Sequence, residues 1–254
     1  MKIAVLVKSV PDTAATPEIG DDGRTVMTDH LDFILNPYDE FAVEEAVRLK
    51  ESLGAEVTAV SLGGENALKA VRSALALGIE AGVLVRPPSG AELTGRGAAL
   101  CLAGLLRELA PDLVLAGKHA VDDDGAQVAE RVAEQLGFGH ASAVSRMELN
   151  GNRLVADQEM EGGHLTFDMA LPAVVTTEKG INTPRYPTLP QILKARRKEV
   201  REVQVPEGGA DLEPGWVVEG VTAPNTERRR QIFTEEESAA VECLADLLRQ
   251  EFAS

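Results

Sequence analysis

Apolar and polar positions alternate at two periods along this chain, and the switching between them predicts its elements. The chain opens with five successive apolar side chains, Ile3 to Val7. A run of that length suits a strand buried on both faces. From Val10 to about Thr28 a stretch rich in Pro, Asp, Thr and Gly predicts a loop. Asn36-Pro37-Tyr38-Asp39 then predicts a helix start, with Asn36 or Asp39 as its cap. Behind it Ala42, Val43, Ala46, Val47, Leu49 and Leu53 keep helical spacing, and Glu44, Glu45, Arg48, Lys50 and Glu51 cover the outside. The alternation recurs as strand 57–62 and helix 65–77, strand 83–85 and helix about 91–109, and strand 113–117 and helix 125–136 closed by Gly137. This rhythm predicts an α/β fold: a Rossmann-like parallel sheet with right-handed crossovers, flanked by helices on both faces.

After Gly137 the pattern changes. Segments 141–149, 153–160, 164–170 and 173–177 predict β-hairpins, with Asn150-Gly151 and Gly162-Gly163 as turns. From Thr183 to Arg201 a Pro-rich loop enters a short basic helix. Residues 206–233 carry Pro, Gly and charge with little periodicity. Thr234 to Phe252 predicts a last helix, with Thr234 as N-cap and Glu237 in the capping-box position. Its apolar face is Ala240, Val241, Leu244, Leu247 and Leu248. A helix tethered by about 28 irregular residues belongs outside the main core, so 207–254 reads as an arm that packs on another chain, and 1–206 as the α/β domain.

Composition narrows the classes. With 254 residues, 44% of them apolar, the chain can bury a substantial core. A net charge of −16 argues against a dedicated nucleic-acid binder, which needs a basic face. Cys101 and Cys243 are too far apart in sequence to suggest a clustered metal site, and His30, His119, His140 and His164 show no ligand spacing. No run of 18 apolar residues exists, and the opening stretch is too short for a signal peptide. The expectation is a cytoplasmic protein that is not membrane-inserted.

Nucleophile-elbow, P-loop, GxGxxG and HExxH motifs are missing, so no catalytic residue is assigned. Three other constellations remain. Gly117-Lys118-His119-Ala120-Val121-Asp122-Asp123-Asp124-Gly125-Ala126-Gln127-Val128 falls where a parallel strand ends and a helix begins. That edge binds ligands in open α/β sheets, and small Gly125 and Ala126 let a phosphate approach free helix amides. The same Asp residues would equally serve as plain helix caps. Asn36-Pro37-Tyr38-Asp39 lies at a second such edge, or simply starts a helix. Pro184-Arg185-Tyr186-Pro187-Thr188-Leu189-Pro190, followed by Ile192 and Lys194, joins stiff backbone, an apolar anchor in Leu189 with Ile192, and cations. It reads as a partner-docking loop of about 182–198, or as an ordinary charged surface helix.

These motifs, with Leu171-Pro172-Ala173-Val174-Val175-Thr176, occur in an order that resembles the β subunit of electron transfer flavoproteins nearly end to end. The resemblance implies an αβ heterodimer with one FAD, held mainly by the α subunit, and an AMP buried in the β subunit. It implies an electron carrier without substrate turnover of its own, fed by acyl-CoA and related dehydrogenases. Electrons would leave through the electron transfer flavoprotein quinone oxidoreductase.

Residue by residue, the resemblance implies that Leu6, Asn36 to Asp39, Leu62 and Gly117 to Val128 line the AMP, with its phosphate on the amides of Ala126, Gln127 and Val128. Tyr38 and Thr13 fall near the flavin, Thr13 where the family carries an aromatic residue. Leu189 falls at the docking anchor, Glu159 where a β-subunit carboxylate faces the α-subunit flavin domain, and 207–254 becomes the arm on the α subunit. Some members bifurcate electrons and hold a second FAD in place of AMP. Asp123 and Ala129-Glu130 favour AMP, whereas Gly125-Ala126-Gln127-Val128 shares part of the bifurcating pattern. A stand-alone nucleotide-binding stress-type module and a nucleotide-activating enzyme of a related α/β group are the readings from other classes.

Overall fold

A computed structural model gives the structure of the chain, and it describes residues 1–88, 93–205, 212, 216–224, 230, 232–234 and 236–252. Among these residues the centre is a nine-stranded sheet. Its order is β11 (Gly163–Ala170), β10 (Arg153–Met160), β9 (Gly139–Asn150), β12 (Ala173–Thr177), β8 (Leu113–Gly117), β1 (Lys2–Leu6), β6 (Glu56–Leu62), β7 (Ala81–Arg86) and β13 (Arg201–Gln204). All neighbours from β9 to β13 pair in parallel, whereas β10 pairs antiparallel with both β9 and β11.

The pleat sorts the apolar runs into two layers. Ile3 and Val5, Leu113 and Leu115, and Ala173 and Val175 face helices α1 (Pro37–Leu53) and α2 (Glu65–Ala76). Ala4 and Leu6, Val114 and Ala116, and Val174 face α3 (Gly95–Leu109) and α4 (Val128–Leu136). Both faces of the inner strands are therefore covered, which is why they read as continuous apolar runs. The chain leaves β1 toward β6 and β7, then returns through α3 to β8 on the other side of β1. The strand order thus reverses between β1 and β8, and a crevice opens at their carboxyl ends.

Several expectations are corrected. The predicted loop 10–28 holds structure: β2 (Ser9–Pro11) pairs with β5 (Phe33–Leu35), and β3 (Glu18–Ile19) with β4 (Val26–Met27). Strands this short carry too few residues to show a period. Residues 173–177 are no hairpin strand, since β12 is inserted between β9 and β8 and is wholly buried. Strand β13 was hidden by its charged sequence and extends the far edge beside β7.

Glu44 is buried and Glu45 half-buried, because each faces a segment from 182–185 rather than water. Leu53, at the end of α1, is exposed. The fourth helix begins at Val128, not Gly125, because Asp124 and Ala126 adopt left-handed backbone, φ 47 and 43. The start expected near Ala91 lies outside the described residues, and α3 is capped by Thr94, whose hydroxyl accepts from Gly97 N–H. The last helix, α6 (Glu237–Phe252), starts two residues later than a Thr234 cap requires, with Ala240 N–H donating to the Glu236 carbonyl. Among the described residues no α6 side chain joins either core layer, and Val241, Leu244 and Leu248 are exposed. Much of the arm, including most of 206–215 and 225–229, lies outside the described residues.

Candidate functional site

The crevice at the β1/β8 switch holds a cleft of about 230 Å3. Of the residues expected around AMP, Leu6, Asn36, Asp39, Leu62, Gly117, Lys118, His119, Ala120, Asp123, Gly125, Ala126, Gln127 and Val128 line it. Pro37, Tyr38, Val121, Asp122 and Asp124 do not. Sequence reasoning missed Lys8, Val60, Ser61, Glu130 and the rim from Leu93 to Gly95. The pair Thr94-Gly95, a cap followed by a residue without a side chain, was the readable sign of a helix start facing the cleft.

Asp39 ties the floor together. Its carboxylate accepts from Lys8 N–H at 2.7 Å, Gly117 N–H at 3.0 Å and the Asn36 amide at 3.0 Å. Asn36 also donates to the His119 carbonyl and accepts from Val121 N–H. Neither side chain caps α1 as expected, because both are spent across the crevice. Three segments are thus pinned at one point: the exit of β1, the start of α1 and the exit of β8. Burial pushes the Asp39 carboxyl up to about 7, against the pull of its three donors. Gly117 permits the close approach: a Cβ there would stand 2.7 Å from Tyr38 backbone and side chain and would strike the Asp39 carboxylate.

The acidic run is tied down locally: the Asp123 carboxylate, which lines the cleft, also accepts from Gly125 N–H at 3.0 Å. Asp122 and Asp123 bind the Lys8 ammonium at 2.7 and 3.1 Å, and Asp124 meets His119 at 3.1 Å. Burial alone would pull Lys8 down, but the hydrogen bonds and charge of Asp122 and Asp123 outweigh it and raise its pKa. The first N–H groups of α4, around Gln127 and Val128, have no partner within the helix. With Gly125 and Ala126 leaving the backbone bare, these residues fit an anionic phosphate, and the apolar walls from Leu6, Leu62 and Leu102 fit a flat base.

Tyr38 stands just outside the cleft, edge-on to His119 with ring centroids 4.2 Å apart and 4.9 Å from the Lys118 ammonium. Thr13 lies exposed in the turn after β2, and Glu159 lies exposed on β10 opposite His164. In the Pro-rich loop Tyr186 is 95% and Leu189 68% exposed. Pro184, Arg185 and Pro187 are half-buried, while Thr188 and Pro190 are exposed.

Helix α5 (Leu189–Arg197) opens on Thr188, where Gln191 Oε1 accepts from Thr188 N–H and hydroxyl. Ile192 is not part of an exposed anchor. It shares the inner face of α5 with buried Ala195 and packs on the core, so Leu193, four residues after Leu189 and 47% exposed, is the outer apolar neighbour. Lys194 is exposed.

Among the described residues no cluster of His, Cys, Asp or Glu could hold a metal ion, and no helix is long and apolar enough to cross a membrane. Cys101 is buried and Cys243 exposed, both free.

The fold and the cleft define an α/β protein with a parallel sheet and a cleft at its switch point, and comparison with known proteins gives its family. The family model described as the electron transfer flavoprotein domain matches residues 24–208. An electron transfer flavoprotein subunit beta of Bradyrhizobium diazoefficiens is 37% identical over 229 residues, 88% of this chain and 90% of that protein. The human subunit beta is 40% identical over 215 residues, 84% of each. That of Bacillus subtilis is 35% identical over 261 aligned positions, 99% of this chain and 98% of that protein. The chain belongs to the electron transfer flavoprotein family, in its β-subunit branch. The stand-alone module and the nucleotide-activating enzyme give way to this reading, since the likeness covers most of the chain.

Proposed function

We propose that this chain pairs with an α subunit to form a one-FAD electron carrier, that its cleft holds a structural AMP, and that its 184–190 loop docks dehydrogenases. The observation that carries the reading is the cleft itself. It lies at the switch point of a chain in this family, and the first amides of α4, without partners in the helix, face it, while the carboxylates beside them are held by Lys8, His119 and Gly125 N–H. Gln127, Val128 and the bare backbone of Gly125 and Ala126 would hold the phosphate. Leu6 and Leu62 would flank the base, and Asn36 and Asp39 would keep the floor shut.

AMP supplies no chemistry of its own, and a ligand that binds only the folded chain stabilises it by mass action. FAD, held mainly by the α subunit, supplies the redox chemistry. The role of this chain is to present Tyr38 and Thr13 toward the flavin edge, Glu159 toward the α subunit's flavin domain, and the arm 207–254 as a grip on that subunit. It turns over no substrate. Acyl-CoA and related dehydrogenases are the electron donors and a quinone oxidoreductase the acceptor, in the cytoplasm of a bacterium.

Heat denaturation of the purified heterodimer should release one AMP per β chain beside one FAD, measured by chromatography of the supernatant. Two FAD and no AMP would place the chain among the bifurcating members. No adenine nucleotide beyond one FAD would refute the cleft assignment. Docking is tested separately: Leu189→Ala should weaken dehydrogenase coupling by about 2 kcal/mol or more with flavin content unchanged.

A further inference from the structure

The loop that displays Tyr186 and Leu189 is held from behind by one side chain. Arg185 donates from Nε and Nη2 to the Glu44 carboxylate at 2.8 and 3.0 Å, and from Nη1 and Nη2 to Glu51 at 2.7 and 3.1 Å. Its own backbone N–H adds a bond to Glu44 at 3.2 Å. Four of the five guanidinium donors are therefore consumed inside the chain. Glu44 is 5% exposed and braced further by Arg48. Three residues earlier the Asn182 amide donates to the Phe41 carbonyl and to Glu45, and three residues later Thr188 closes on Gln191. Every polar anchor of 182–191 points inward to α1 or along the loop, and the large apolar side chains Tyr186 and Leu189 point out.

We infer that Arg185 is a positioning residue for docking, not a cation that steers a partner. Its charge is already matched by two carboxylates, so little of it is left for an acidic surface. Its planar fork instead fixes the stem on α1, so that ordering Tyr186 and Leu189 costs little when a partner binds. A lysine keeps the charge but loses the fork. The inference rests on the docking reading of this loop given above.

The test uses the FAD-loaded αβ heterodimer, an acyl-CoA dehydrogenase as electron donor, and Arg185→Lys, Glu51→Gln and Leu189→Ala variants. Two readouts are taken: KM and kcat for flavin reduction by the dehydrogenase, and hydrogen exchange of the 183–191 amides. Arg185→Lys should raise KM about tenfold with kcat within about twofold, and should speed exchange across 183–191. Glu51→Gln leaves buried Glu44 paired and should give a smaller rise, roughly threefold, which guards against a mere folding defect. Leu189→Ala should raise KM with exchange unchanged, and adding Arg185→Lys to it should raise KM little further, because both act through one contact.

A wild-type KM in Arg185→Lys beside a raised KM in Leu189→Ala overturns the inference. An unchanged KM in Leu189→Ala sinks the docking reading itself, and the exchange data then tell whether Arg185 still fastens the loop.

Discussion

Helix α1 carries two buried carboxylates, Asp39 and Glu44, each 5% exposed, and they do different work. Asp39 accepts from neutral donors, two backbone N–H groups and an amide, and holds the ends of two strands together at the cleft. Glu44 accepts from two guanidinium groups and holds the Pro-rich loop that begins at Pro184. A buried acid on neutral donors keeps a strong desolvation burden, which is why Asp39 is pushed up to about 7. A buried acid on arginines has a counter-charge beside it but depends on long, partly exposed side chains. One helix thus serves a closely packed backbone knot at its first turn and a charge clamp a turn further on.

The knot should break hardest. Gly117→Ala forces a Cβ to within 2.7 Å of Tyr38 and onto the Asp39 carboxylate. Tyr38 backbone on one side and the buried, hydrogen-bonded Asp39 carboxylate on the other leave little room to relax, so we expect a loss of about 3 kcal/mol in unfolding free energy by denaturant titration, and loss of the AMP proposed for the cleft. Wild-type stability in this variant would mean that the β8 exit is looser than its contacts imply.

The second test reads Asp39 through pH. Asp39 binds its proton more tightly folded, near 7, than unfolded, near 3.8. Its contribution is fully present below the unfolded value and is lost as pH rises through the folded one. The difference in unfolding free energy between wild type and Asp39→Asn should therefore shrink by about 1.4 kcal/mol per pH unit between pH 5 and 6.5, and level off above pH 8. A flat difference across that range would show that the three donors, not burial, govern Asp39.

The clamp should yield less. Glu44→Gln keeps the shape and removes the charge, leaving Arg185 with Glu51 and Arg48 without its partner. The expected loss is about 1–2 kcal/mol, with the nucleotide retained. Loss of the nucleotide together with the loop would mean that α1 transmits strain between its two carboxylates.

The contrast also explains what the sequence could tell. The inner strands were legible because a strand covered on both faces must be apolar throughout, as in Leu113 to Ala116. The cleft was legible because strand-end and helix-start signals coincide at 117–128. Glu44 and Glu45 were misread because helical periodicity sorts residues only by polarity, and their polar partners come from 182–185, some 140 positions away. The place of β12 was equally hidden: its sequence states that it is buried, not that it slips between β8 and β9. The start of α4 was set by left-handed backbone at Asp124 and Ala126: aspartate enters that region more readily than most residues, but alanine carries no such sign.

That geometry gives the smallest and sharpest test. Among the described residues the docking stem 182–197 has no left-handed residue outside glycine, whereas the cleft loop has two within three positions, Asp124 and Ala126. Left-handed backbone at alanine costs on the order of 1 kcal/mol, which glycine largely escapes while loosening the unfolded chain. Ala126→Gly should raise the stability of the nucleotide-free protein by about 0.5 kcal/mol. If the strained turn is there to present amides at the start of α4, the same change should weaken AMP binding a few-fold, because the loop must then be ordered on binding. Calorimetric titration of AMP into the stripped heterodimer separates the two effects. Tighter binding in Ala126→Gly would mean that the strain opposes the ligand, and that the helix start alone, without a preformed turn, recognises the phosphate.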